Sequence, residues 1–165
     1  MTTMARTEVT TQVYRVYIKA SAQAIWDAIT QPEWNVRYGY QAPCEYELRP
    51  GGAYRVLPSP EMVKYGAPEV IIDGEVVEAD PPHRLVQTWR ALWDPEMAAE
   101  GHTRVTWEIE EQDGGVCRLT VTHDVTDAPK SAAQLAGEIP NAGGGWSYIL
   151  SDLKTLLETG NALQS

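Results

Sequence analysis

Apolar side chains recur along this chain at two spacings, every second residue in some stretches and every third or fourth in others, and the two predict different elements. Residues 13–19 (Val-Tyr-Arg-Val-Tyr-Ile-Lys) are rich in β-branched and aromatic side chains and predict a first strand. Ser21 then suits an N-cap, and Ile25, Trp26 and Ile29 fall on one face of a helix over residues 22–29. Pro32 opens a second short helical piece, with Trp34 and Tyr38 four residues apart. Residues 45–48 and 53–57 flank the turn Pro50-Gly51-Gly52 as a hairpin, and residues 58–68, with Pro58, Pro60, Gly66 and Pro68, read as a loop.

Four further strands are predicted over residues 70–79, 84–93, 103–110 and 116–125. They are separated by Asp80-Pro81-Pro82-His83, by a loop over 94–101 and by the turn Asp113-Gly114-Gly115. The last two alternate cleanly. Val105, Trp107 and Ile109 share one face, as do Cys117, Leu119, Val121 and His123, which is the signature of an antiparallel sheet covered on one side. Residues 130–138 predict a separate helical turn, broken by Pro140 and loosened by Gly143-Gly144-Gly145. The cover for the sheet follows. Trp146, Ile149, Leu150, Leu153, Leu156 and Leu157 form a helical stripe, with Ser147, Ser151, Asp152, Lys154 and Glu158 opposite. This helix runs from residue 141 or 145 to 159 and is stopped by Gly160. The order is α+β: strand, helices, six antiparallel strands, long helix.

Composition narrows the picture. The chain has 165 residues, 43% of them hydrophobic, and no internal repeat or linker, so one domain is expected over 13–159, with 1–12 and 160–165 as flexible termini. Thirteen Lys and Arg against 23 Asp and Glu leave a net charge of −10 without any basic run, which excludes nucleic acid as a partner. No stretch reaches the roughly 18–20 apolar residues of a spanning helix, and the first twelve residues hold no apolar leader, so a cytoplasmic protein without membrane insertion is expected. Cys44 and Cys117 stand apart, and His83, His102 and His123 lack ligand spacing, so neither a disulfide framework nor a metal is implied. No phosphate-binding glycine motif is present either, and no cofactor is expected. The chain has no Phe but six Trp and eight Tyr, so every ring carries a polar N–H or O–H that seeks a partner when buried.

Several motifs in this order resemble a known family. They are Ala20-Ser21-Ala22-x-x-Ile25-Trp26-x-Ala28-Ile29, Pro50-Gly51-Gly52-x-Tyr54-Arg55, Gly74-Glu75-Val76-Val77-Glu78-x-Asp80-Pro81-Pro82-x-Arg84-Leu85-Val86-x-Thr88-Trp89, Arg118-Leu119-Thr120-Val121-Thr122-His123 and Gly145-Trp146. Together they are similar to the START-like, or birch-allergen-like, superfamily (SRPBCC), and more narrowly to the family named after the activator of heat-shock protein 90 ATPase. The resemblance implies a helix-grip fold: a curved antiparallel sheet of about six to seven strands wrapped around the long C-terminal helix, with a cavity between them. It implies a small apolar or amphipathic ligand and carries no shared catalytic motif. The Pro-rich segment 58–68 and the Pro140 and triple-Gly interruption depart from the family pattern where they can reshape the mouth of that cavity.

The candidate ligand-binding residues are Tyr54, Gln87, Trp89, Trp107, Leu119, Val121, His123 and Trp146. Trp89 and Trp107, on strands, are the better candidates for a cavity wall; for Trp26 and Trp146 simple core filling is favoured. His123 is either a polar anchor in the cavity or a core histidine bonded to a neighbour. Gln87 shares the parity of Trp89 and is either a ligand contact or a sheet-edge residue facing water. The triple glycine reads as a kink or a close approach of helix to sheet rather than an anion site. Gly145-Trp146-Ser147 is not a nucleophile elbow, because Ile149 stands where Gly is required. No inward pair of carboxylates is available for acid and base roles.

These readings favour a protein that binds a small hydrophobic or amphipathic molecule and has no catalytic residues. Two alternatives stand beside it. One is an enzyme of the same fold, a cyclase or dehydratase on a polyketide-like substrate using His123 and a Tyr. The other is regulation of a chaperone ATPase by protein contact. A homodimer is compatible with each.

Overall fold

The structure, a computed structural model, describes residues 10–140 and 143–163. Strand β1 (Thr11–Ile18) is followed by helices α1 (Ala22–Thr30) and α2 (Pro32–Asn35), the short strands β2 (Cys44–Tyr46) and β3 (Ala53–Val56), and helix α3 (Pro60–Lys64). Then come β4 (Ile72–Asp80), β5 (Arg84–Ala91), α4 (Pro95–Ala99), β6 (Thr103–Glu111), β7 (Cys117–Asp124), α5 (Pro129–Leu135) and α6 (Gly145–Thr159). The seven strands form one antiparallel sheet in the order β1-β7-β6-β5-β4-β3-β2, so β1 and β2 are its edges. The first strand pairs with the last across the length of the chain, Tyr14 opposite Val121 and Ile18 opposite Cys117.

Each predicted strand and helix is present, and the sheet's covered face is the one read from alternation. Val105, Ile109, Leu119 and Val121 are buried beneath α6, whose Leu150, Leu153 and Leu156 are buried against them in one core. At about 1.5 Å per residue, the 15 residues of α6 span roughly 22 Å. Gly160 ends the helix in the left-handed conformation, its N–H bonded to the Leu156 carbonyl. Ser21 caps α1 by accepting from the Ala24 N–H at 3.1 Å.

Two segments read as loops contain helices. Ser59 and Asp94 each accept a backbone N–H and are each followed by proline, which makes a short helix start at Pro60 and at Pro95. Scattered Pro and Gly residues obscured these starts in the sequence. Thr11 and Gln12 are paired in β1 rather than lying outside the fold; residues 1–9 and 164–165, and the alternative helix start at 141, lie outside the described residues. Gly145, at φ +66°, packs so closely that a Cβ would overlap the Leu135 carbonyl, so this glycine serves a close approach of α6 to α5, not to the sheet.

Asp152 is the main departure from the helical pattern. The stripe places it on the polar side of α6, yet only 2% of it is exposed. Its carboxylate accepts the Gly39 N–H and the Leu163 N–H, each at 2.8 Å, and so holds the segment after α2 and the segment after α6 against the helix. A periodicity argument assigns faces relative to the core alone and cannot foresee loops that wrap the far side. Asp152→Ala should therefore lower stability by about 3 kcal/mol, because two N–H groups lose a charged acceptor, while Asp152→Asn should retain part of it. Urea unfolding of the three proteins measures the difference.

Candidate functional site

Between the sheet, α6 and the segments at 38–44 and 62–72 lies a cavity of about 450 Å³. The sheet contributes Tyr54 from β3, Trp89 from β5 and Trp107 from β6; α6 contributes Trp146 and Ile149. Tyr38 and Tyr40 line it from the chain between α2 and β2, and Cys44 and Tyr46 from β2. Met62 and Ala67 belong both to its wall and to an outer cleft at its mouth, so the Pro-rich segment 58–68 does shape the opening. Among the described residues, none that lines the inner cavity carries a charge.

Four of the eight candidates, Tyr54, Trp89, Trp107 and Trp146, therefore share one cavity wall. Trp146, for which core filling was the favoured expectation, lines the cavity and stands edge-on to Trp107 at 5.2 Å, whereas Trp26 belongs to the core alone. Leu119 and Val121 are fully buried on the inward face but lie behind the wall rather than in it. Tyr38, Tyr40, Tyr46 and Cys44 escaped the sequence reading because their neighbourhood carries short elements and no long period. Only the cross-strand register of the hairpin, Tyr46 opposite Tyr54, could have pointed to one of them.

Gln87 and His123 form a second layer that holds the wall. Strand β5 lies inside the sheet, so Gln87 is no edge residue; it is 1% exposed, and its Oε1 accepts the Tyr46 hydroxyl at 2.6 Å and the Trp107 Nε1–H at 3.2 Å. The indole donor can only give a proton, which fixes which end of the amide faces it. The Tyr54 hydroxyl is in hydrogen-bonding reach of both Gln87 and Tyr46. His123 is wholly buried. Its Nδ1 accepts the Trp146 Nε1–H at 3.1 Å, its Nε2 meets Thr103 Oγ1 at 2.6 Å, and Thr103 donates onward to the Trp89 carbonyl at 3.1 Å. One proton arrangement satisfies this chain: neutral imidazole with the proton on Nε2. The indole protons of Trp107 and Trp146 are thus taken by Gln87 and His123.

Burial pushes the His123 imidazole down from 6.5 to about 4, against a smaller opposing effect of Asp124. Burial also raises the Cys44 thiol to about 12, and it raises the Tyr46 and Tyr54 phenols, so each of these groups is held neutral at pH 7. The other two histidines pair with carboxylates near the surface, His83 with Glu111 at 3.1 Å and His102 with Asp73 at 3.2 Å. Among the described residues no group of three or more His, Cys, Asp or Glu is placed to hold a metal ion, and no helix is long and apolar enough to cross a membrane.

A curved antiparallel sheet gripping a C-terminal helix, with an apolar cavity between the two, defines a helix-grip protein. The family model for the activator of Hsp90 ATPase homolog 1-like protein matches residues 19–158, and the chain belongs to that family. No curated protein matches it. Among solved structures it is similar to a protein from Bordetella parapertussis, at 21% identity and a TM-score of 0.67 over 96% of this chain and 79% of that one. It is similar to CalU16 from Micromonospora echinospora in solution, at 20% identity and a TM-score of 0.61 over 93% of this chain and 68% of that one. It spans 59% of the crystallised CalU16 chain. An HSP90 activator from Plasmodium falciparum matches at 20% identity and a TM-score of 0.55, over 94% and 92% of the two chains. These likenesses establish the shared fold.

The buried imidazole has a measurable consequence. In the unfolded chain His123 takes up a proton as pH falls below its ordinary value, and in the folded chain it resists protonation until about 4. Its contribution is therefore fully present above pH 6.5 and is lost as pH falls through that window, by about 3 kcal/mol in total. Asn in its place keeps an acceptor for Trp146 but does not titrate. The loss of urea stability between pH 7 and pH 4.5 should be smaller in His123→Asn than in the wild type by most of that amount.

Proposed function

We propose that the protein binds a small hydrophobic or amphipathic molecule in the cavity beneath α6 and has no catalytic residues of its own. One observation carries this reading: about 450 Å³ of space walled by Trp and Tyr rings and free of charged side chains. The volume falls in the usual range for small-molecule sites, and an apolar wall with a few polar points is their usual lining. Family membership supports it through the fold. The same reading makes the protein cytoplasmic, with neither nucleic acid nor a membrane as its partner.

The catalytic alternative loses its main support. His123 lies behind Trp89 and Trp146, both of its nitrogens are occupied, and its neutral form is heavily favoured, so it is poorly suited to carry protons at pH 7. Regulation of a chaperone, which the Plasmodium falciparum protein's description states for that protein, finds no added support in the cavity.

Titration with apolar dyes and aromatic hydrocarbons, followed by tryptophan fluorescence and thermal shift, tests the proposal. Saturable quenching with a rise in melting temperature is expected. Ala67→Phe, which narrows the mouth, should weaken binding at least about tenfold, or 1.4 kcal/mol, with little change in the unliganded melting temperature. Unaltered binding in that variant would place the site elsewhere.

A further inference from the structure

The hydrogen-bonding of the cavity wall restricts what it can hold. Tyr46 directs its proton to Gln87 Oε1 at 2.6 Å, and Trp107 fills the second acceptor position on the same oxygen. Trp146 donates to His123, and Tyr38 donates to the Ala28 carbonyl at 2.7 Å. With these four protons directed into the protein, Tyr46 and Tyr54 stand together in the cavity wall, their rings 4.7 Å apart and 30° from parallel. Among the described residues no Lys or Arg lines the inner cavity or the outer cleft, while Glu61 lines the cleft, in a protein of net charge −10.

We propose that the ligand is an uncharged, flat aromatic molecule bearing a hydroxyl group, seated with that hydroxyl against the Tyr46 and Tyr54 oxygens, and that the ionised acid of the same skeleton is rejected. This rests on the reading that the cavity binds a small molecule. A hydroxyl both donates and accepts, so it can give its proton to the Tyr46 oxygen, whose own proton goes to Gln87. A carboxylate only accepts; among the described residues it meets no cation, it must pass Glu61, and it must leave its water behind. An ammonium group would find ring faces but no counter-charge inside the cavity. Burial holds both phenols protonated, in keeping with a site built for neutral groups.

The test uses one ring system with four substituents: pyrene, hydroxypyrene, pyrenecarboxylate and pyrenylmethylammonium, titrated at pH 7 and followed by pyrene fluorescence. Hydroxypyrene is expected to bind about five- to tenfold more tightly than pyrene, and each ion at least about a hundredfold more weakly than hydroxypyrene. In Tyr46→Phe the advantage of hydroxypyrene over pyrene should fall to about twofold or less, the pyrene affinity of the same variant being the reference for any change in the cavity itself. If pyrene binds but hydroxypyrene gains nothing, or if either ion binds as tightly, the inference fails and small-molecule binding stands. If no probe binds, both fail. The wild-type ratios decide the matter even where the variant does not fold.

Discussion

A single buried hydrogen-bond chain links the four elements on which the site depends. It runs from the indole of Trp146 on α6, through His123 on β7 and Thr103 on β6, to the backbone carbonyl of Trp89 on β5. Apolar packing alone would hold the helix against the sheet but would leave its rotation and the tilt of its first turn loosely determined, because hydrophobic contact is not directional. The chain supplies direction. It turns the Trp146 ring edge-on to Trp107, and it requires a neutral imidazole, since a proton on Nδ1 would face the indole N–H. The polar residues of this core therefore act as locating points, and the cavity wall inherits its shape from them.

A second anchor does the same at the other end of the cavity. Gln87 gathers Tyr46 and Trp107 onto one carbonyl oxygen, joining the short edge strand β2 to the middle of the sheet. Short strands such as β2 contribute few ladder bonds, so a side-chain bond that reaches past β3 and β4 to β5 matters more there than elsewhere. The absence of Phe takes on meaning here. At both anchors a ring is fixed by its own N–H or O–H, which Phe lacks, and the same commitment removes those protons from anything bound in the cavity. Rings that would otherwise offer donors to a ligand become rigid apolar walls with oxygen lone pairs at one end.

On the far side of α6, Asp152 binds the chain segments that lead to the cavity mouth. Its carboxylate, itself buried, is compensated by the two backbone N–H groups it accepts. The three polar anchors, at His123, Gln87 and Asp152, thus divide the task of holding a hollow protein open: two orient the wall and one fastens the rim.

Much of this was legible in the residues. The two-residue alternation of β6 and β7 identified the buried face, the leucine stripe of α6 identified its cover, and the order of elements with the motif blocks around Gly74–Trp89 and Gly145-Trp146 pointed to the helix-grip family. Parity was enough to turn Trp107 and His123 inward. The rest needed distances. Whether an inward side chain lines a cavity, as Trp107 does, or stands behind it, as Leu119 and His123 do, depends on the third dimension of packing, which a period of two cannot express. Gln87 was undecided between water and interior until the sheet order placed β5 away from an edge, and Asp152 looked solvent-facing until loops distant in sequence closed over it. Sequence pattern records which side of an element is apolar, because burial acts residue by residue along the chain. Tertiary structure alone decided which polar groups pair across it, and so which protons and which empty volume remain for a ligand, because those depend on contacts between residues far apart in the chain.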